Sequence, residues 1–190
     1  MDIILASASP RRKEILEMLG VKNMRIIPAV GEEKAPADTE PAGIVRALAL
    51  EKAREVAAKA APGETVIAAD TIVWHNGRLF GKPHSEAEAV AMLSELSGDT
   101  HAVYTGVALI RDGQELSAAE ETKVRFRPIP LDEIEAYVKS GEPMDKAGAY
   151  GAQGRASVFV EGIEGDFFNV MGLPVCLLDS MLKKLGLSLI

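Results

Sequence analysis

Four side chains near the amino terminus, Ser7, Ser9, Arg11 and Arg12, fall together in the segment LASASPRRKEILEMLG. Hydroxyls beside two guanidiniums give forked, permanently charged donors, a set suited to phosphate oxygens. Asp70 follows the apolar run VIAA, and a carboxylate at a strand end is placed to bind a divalent metal or to orient water. Lys52, within a helical stretch, and Lys82, between Gly81 and Pro83, are candidate phosphate contacts. Glu32 and Glu33 form an acidic pair in a loop, and they gain chemical meaning only if they meet Asp70. Gln153 sits among glycines in DKAGAYGAQGRA. Its amide donates and accepts at once, which lets it read a pyrimidine edge, and the small residues around it let backbone approach a flat ligand.

Each of these residues has a plainer alternative. The arginines fit a solvated surface run, Asp70 a turn, the glutamates and lysines an exposed face, and Gln153 a structural loop. Taken singly, the residues leave both alternatives open. His75, His84 and His101 lack metal-ligand spacing, and no Ser-His-Asp or Cys-His arrangement is apparent. The glycines and Gly-Lys-Ser/Thr ending of a P-loop are missing. The chemistry that remains is carboxylate, metal and water, a combination suited to phosphoanhydride hydrolysis.

These groups need elements to carry them. Residues 3–6 read as a short buried strand, with Ser9 as N-cap and Pro10 as first residue of the helix that follows. Ile15, Leu16 and Leu19 share one face of that helix, and Gly20 ends it. Residues 25–29 read as a second strand, 31–41 as a loop, and 41–61 as a long helix with Ile44, Val45, Leu48 and Lys52 near one face. Residues 66–69 read as a buried strand, and Asn76-Gly77 as a hairpin turn. Ser85 and Glu88 read as a capping box for a helix reaching Leu96. Two extended segments, 101–110 and 115–126, join through Asp112-Gly113. A short helix over 131–139, an irregular stretch over 141–172 with a strand at 157–160, and a closing helix over 174–185 complete the chain. The class is α/β, a bent mixed sheet with helices against it.

The chain has 190 residues, 47% of them hydrophobic, enough for one domain with its own core. A net charge of −7 argues against a broad electrostatic grip on nucleic acid or anionic lipid. The single cysteine, Cys176, excludes a disulfide framework and a cysteine zinc site, and is expected to be a small buried hydrophobe. No basic leader followed by an apolar run is apparent, and no run approaches the roughly 20 apolar residues of a membrane span, so the expected setting is the cytoplasm.

The segments LASASPRRKEIL, AADTIV, GKP, LSGDTHAVYTGVAL, DKAGAYGAQGRA and GDFFNVMGLP occur in this order along nearly the whole chain. In that series the chain resembles the Maf family of nucleoside triphosphate pyrophosphatases. The resemblance implies one domain over residues 1–190, an elongated α/β fold with a curved mixed sheet and two lobes about a central cleft. It implies hydrolysis of a nucleoside triphosphate to monophosphate and pyrophosphate with a divalent metal, magnesium or manganese. Asp70 matches the catalytic acid position, the general base and a metal ligand, and Glu33 the second metal or water ligand. Ser7, Arg12, Lys52 and Lys82 match the positions that grip phosphates. Arg11, Thr71 and Gln153 match the selectivity positions of the branch acting on dTTP and UTP. The branch acting on 7-methyl-GTP is a rival that differs around Gln153. A rival of another class is inhibition of septum formation by binding a division partner. The resemblance also implies a homodimer. One departure is Val30-Gly31-Glu32-Glu33 where relatives often read Val-Asp-Glu, which leaves Glu32 and Glu33 both open as the ligand.

Overall fold

A computed structural model of the chain describes residues 1–31 and 40–190. In chain order its elements are β1 (Ile3–Leu5), α1 (Pro10–Met18), β2 (Met24–Ile26), α2 (Pro41–Ala57), β3 (Thr65–His75), β4 (Arg78–Phe80) and α3 (Glu86–Leu96). They continue with β5 (Thr100–Arg111), β6 (Gln114–Phe126), α4 (Leu131–Val138), β7 (Val160–Glu164), α5 (Phe167–Met171) and α6 (Val175–Lys184). Among the described residues the strands form one sheet of order β2-β1-β3-β5-β6-β7, with β4 paired to β3. The sheet is mixed. β1 runs parallel to β2 and to β3, with Leu5 opposite Ile67, whereas β3–β4 and β6–β7 are antiparallel. This is the α/β class expected from the sequence. Both hairpin turns form at the expected dipeptides, with positive φ at Asn76-Gly77 (47° and 75°) and Asp112-Gly113 (47° and 81°), the conformation a two-residue hairpin loop requires.

The chain divides into two compact units. The first comprises Met1–Asp70, Thr105–Glu120 and Gly172–Ile190. Alternate residues along and just beyond its strands, Ile4 and Ala6, Val66 and Ala68, Ala108 and Ile110, pack with Ala49, Ala53 and Val56 of α2. The period of two along the strands meets a helical face built from small residues. Gly106 lies in step with Ala108 and Ile110, and a Cβ there would overlap the Val45 carbonyl. The helix backbone therefore sits directly on β5, which only glycine permits. Val45, Ala49 and Lys52 are spaced to share one face of α2, so this contact also seats the face that carries Lys52.

The second unit comprises Thr71–Tyr104 and Glu121–Met171. Its core is aromatic: Phe126 meets Tyr150 edge-on at 4.7 Å, and Tyr137 meets Phe159 at 5.4 Å. His101 is buried among them with Nε2 2.7 Å from the Tyr150 hydroxyl. Burial, reinforced by nearby His75 and opposed by Asp99, pushes the His101 pKa down to about 3.

Three expectations are corrected. The strand expected at 157–160 is instead a 3-10 helical stretch, Arg155–Phe159, followed by β7. Ala156 and Phe159 are both buried, and their spacing of three is the period of that helix. Cys176 is exposed, not buried. The buried side of α6 is Leu178, Met181 and Leu182, and Cys176 lies off it. The strand expected at 66–69 does not end before Asp70 but runs unbroken to His75.

Candidate active site

β1 delivers Ser7 two residues beyond its end, at 8% exposure. The Ser7 hydroxyl oxygen accepts from the Ser9 backbone N–H at 3.2 Å and from Arg12 Nη1 at 3.0 Å. With both acceptor positions engaged, the hydroxyl hydrogen is directed elsewhere as a donor. Arg12 is fixed a second time, through Nε to the Gly172 carbonyl at 2.8 Å. Ser9 occupies the N-cap of α1 and Pro10 its first position, as expected, but the Ser9 side chain makes no capping hydrogen bond. The first turn also holds no acidic residue. Its positive pole carries Arg11 and Arg12, an arrangement that favours an anion.

Asp70 lies within β3 and is 7% exposed. Lys52, on α2, donates from Nζ to Asp70 Oδ1 at 2.6 Å. A carboxylate so deeply set needs a counter-charge, because leaving it unpaired costs several kcal/mol, roughly 3–5 when a partner is removed. That pairing is why the strand passes through an aspartate without breaking. β1 and β3 are parallel neighbours, with the Ala6 N–H bonded to the Ile67 carbonyl at 2.8 Å. Continuing that register, Ser7 stands level with Ala69, beside Asp70 along β3, and the first unit brings Ser7, Arg12, Lys52 and Asp70 onto two neighbouring strands and their helices. Arg11 stands beside Arg12 in α1, partly exposed.

Nothing in residue type or spacing singles out one further carboxylate on α2. Glu55, three positions after Lys52 on α2, accepts the N–H groups of Val30 at 2.9 Å and Gly31 at 3.0 Å. Those two bonds hold its carboxyl below the usual pKa, against a smaller effect of burial. Glu32 and Glu33 lie outside the described residues. Among the described residues no group of three or more His, Cys, Asp or Glu side chains gathers as a metal cluster.

The other expected residues belong to the second unit. Thr71 follows Asp70 on β3, and Lys82 is exposed between β4 and α3. Gln153 is exposed in a turn closed by the Gly154 N–H on the Gly151 carbonyl at 3.0 Å. Gly148 links these segments. Its N–H bonds the Gly81 carbonyl at 3.0 Å, next to Lys82, and its Cα lies against Val73, on the same side of β3 as Thr71. A Cβ on Gly148 would come within 2.7 Å of Val73 Cγ2. Among the described residues no helix is long and apolar enough to cross a membrane.

The profile of a family described as Maf-like protein matches residues 2–185. A dTTP/UTP pyrophosphatase of Symbiobacterium thermophilum is 50% identical over 185 residues, covering 97% of this chain and 94% of the relative. A dTTP/UTP pyrophosphatase of Bacillus cereus strain AH820 is 49% identical over 186 residues, covering 98% and 96%. Among solved structures, the Staphylococcus aureus Ham1 protein matches with a TM-score of 0.54 at 15% identity, over 97% of this chain and 99% of that one, a likeness of fold.

Proposed function

The chain belongs to the Maf-like family, and from that premise we propose that it is a nucleoside triphosphate pyrophosphatase. It hydrolyses dTTP and UTP to the monophosphate and pyrophosphate. The observation that carries this reading is the buried Asp70–Lys52 pair on the strand beside Ser7 and Arg12. That arrangement sets a base and a cation next to a prepared grip for phosphate. Relatives with nearly full-length similarity carry the name dTTP/UTP pyrophosphatase, which supports the substrate.

In this mechanism Ser7 donates its hydroxyl hydrogen to a phosphate oxygen, and Arg12 presents a guanidinium whose plane Gly172 has already set. Lys52 Nζ donates to Asp70 Oδ1; an ammonium has three donors, so contact with Asp70 is compatible with a second contact to phosphate. Asp70 accepts a proton from water as the water oxygen bonds to the α-phosphorus. The bond from that phosphorus to the bridging oxygen breaks, and pyrophosphate leaves with the electron pair. Positioning and charge neutralisation do most of the catalytic work in such a transfer. Lys82 contributes to holding phosphate, and Arg11, Thr71 and Gln153 select the base.

A divalent cation fits the donors present. Magnesium and manganese sites at phosphates are ordinarily made from one or two carboxylates, waters and the substrate's own oxygens. Asp70 is such a carboxylate beside a phosphate grip, and it would hold the ion, with Glu33 as the further ligand carried over from the family. When bound, the ion would neutralise phosphate charge and favour deprotonation of water. The same reading takes the protein as cytoplasmic and as a homodimer, the second of which sedimentation of the purified chain tests.

The decisive assay is a panel of nucleoside triphosphates with magnesium, manganese or a chelator, following pyrophosphate and single-phosphate release separately. The expected result is metal-dependent pyrophosphate release, fastest with dTTP and UTP. Stepwise phosphate release overturns attack at the α-phosphorus, and preference for 7-methyl-GTP overturns the base assignment.

A further inference from the structure

The turn that presents Gln153 is held from behind by two side chains of the second unit. Glu142 Oε1 accepts from the Arg155 N–H at 3.0 Å and from the Tyr137 hydroxyl at 3.1 Å, and Oε2 lies 3.2 Å from the same Arg155 nitrogen. The Tyr137 oxygen in turn accepts from the Gly151 N–H at 3.3 Å. The N–H that enters the four-residue turn 151–154 and the N–H just after it are thus gripped by one Tyr–Glu pair. Gly154 packs onto the same carboxylate, since a Cβ there would overlap Glu142 Oε1. At Gly151 a Cβ would meet Lys146 Cε at 2.7 Å. Lys146 itself donates to the Glu142 carbonyl and to Asp145, both at 2.7 Å, which steadies the base of the grip.

The backbone just upstream explains why a grip is needed. Gly148 and Ala149 both adopt positive φ, 67° and 61°. An alanine in the left-handed region costs about 1–2 kcal/mol and persists only where its surroundings fix it. Tyr137 holds the chain two residues further on, at Gly151. It is buried on α4 with its ring against Phe159. Burial, with the Glu142 charge beside it, holds its hydroxyl protonated above the usual range, so it remains a donor to the carboxylate.

We propose that Tyr137 and Glu142 are positioning residues for base selection, setting the orientation of the turn from which Gln153 reads the pyrimidine edge. This rests on the reading of Gln153 given above. It extends that reading by assigning discrimination to two residues behind the turn. A carboxylate suits the task because it only accepts, and two donors converge on Oε1. Glutamine keeps an acceptor at that position, whereas alanine removes it.

The test compares Glu142→Ala, Tyr137→Phe, Glu142→Gln and Gln153→Ala with the wild type. For each, kcat and KM are measured with dTTP and dCTP, and amide hydrogen exchange is followed at Gly151 and Arg155 without nucleotide. Glu142→Ala and Tyr137→Phe are expected to speed exchange at those amides. Both should lower the dTTP-to-dCTP ratio of kcat/KM by about tenfold, one good hydrogen bond's worth, mainly through KM for dTTP. Glu142→Gln should restore most of the ratio. Unchanged exchange in Glu142→Ala overturns the grip itself. Faster exchange with an unchanged ratio, while Gln153→Ala lowers it, overturns the positioning role alone. An unchanged ratio in Gln153→Ala overturns base reading by Gln153 and the selectivity role of the pair with it.

Discussion

Replacing Asp70 by Asn separates catalysis from stability at the centre of the site. The substitution keeps an oxygen for Lys52 Nζ, which now donates to Asp70 Oδ1 at 2.6 Å, so the hydrogen bond has a substitute. It removes the charge. At that distance and an effective dielectric near 20 the gross attraction is about 6 kcal/mol, most of which is offset by the desolvation that burial imposed. The side chains of Lys52 and Asp70 retain 16% and 10% exposure, so water relieves part of the stranded ammonium. The expected loss of stability is about 1–3 kcal/mol. A domain of ordinary stability, about 5–15 kcal/mol, stays folded after such a loss. Loss of the base is a different matter, since a positioned base is worth roughly 10²–10⁴ in rate. We expect kcat to fall about 10³-fold, about 4 kcal/mol in the barrier, with nucleotide affinity kept within a few-fold. Pyrophosphate release gives kcat, titration calorimetry with dTTP gives affinity, and urea unfolding gives stability. A variant that keeps kcat within tenfold of wild type refutes Asp70 as the base. A kcat loss that vanishes when corrected for the folded fraction refutes it equally.

Other perturbations test the parts around that centre. Gly106→Ala drives a Cβ into the Val45 carbonyl and should cost about 3 kcal/mol or more, read as a lower urea midpoint; an unchanged midpoint refutes the close contact between β5 and α2. Arg12→Ala, which frees both Ser7 and Gly172, should lower kcat/KM for every nucleotide alike by about 10²-fold, as loss of charged hydrogen bonds does, whereas Arg11→Ala should change the ratio among bases. Equal effects on all nucleotides from both variants make the arginine pair a phosphate clamp and nothing more. Buried His101 binds its proton only near pH 3, against about 6.5 when unfolded. Its contribution to stability is therefore complete above pH 6.5 and is lost as pH falls from there toward 3, because the unfolded chain binds the extra proton. Between pH 7 and pH 5 the wild type should lose about 2 kcal/mol more than His101→Asn in urea unfolding, and parallel losses refute the burial effect.

The elements that carry the site were legible because their signals are local. Pro10 and Gly20 bracket α1, the Asn-Gly and Asp-Gly pairs turn the hairpins, and the spacing of Ile44, Val45, Leu48 and Lys52 marks the inward face of α2. Phosphate chemistry at Ser7 and Arg12 was legible for the same reason, since residue type and spacing state it. The end of the strand at Asp70 was not. A charged residue after VIAA reads as a break because an unpaired carboxylate cannot be buried. The partner that permits it, Lys52, stands on another element, and no short-range pattern links the two. The 3-10 stretch before β7 is hidden similarly, because Val158, Phe159 and Val160 have strand propensities while Ala156 and Phe159 follow a period of three.

The residues that hold the chemical groups in place leave a weaker trace than the groups themselves. Arg12 is steered by the carbonyl of Gly172, 160 positions away, and a carbonyl has no residue type to notice. Glu55, Tyr137 and Glu142 are ordinary surface or core types until their partners are known. Glycine is the exception, since a position that must lack a Cβ records a close approach by something else. Gly106 marks the backbone of α2, and Gly154 marks the carboxylate of Glu142. Neither has positive φ, so turn geometry does not account for it. In a chain where several glycines are fully explained by turns, those left over point to the contacts that orient the site. That inference is open to direct check: Gly154→Ala should reproduce the selectivity loss of Glu142→Ala by displacing the same carboxylate. If it leaves the dTTP-to-dCTP ratio intact, the leftover glycines report packing and not the placement of Gln153.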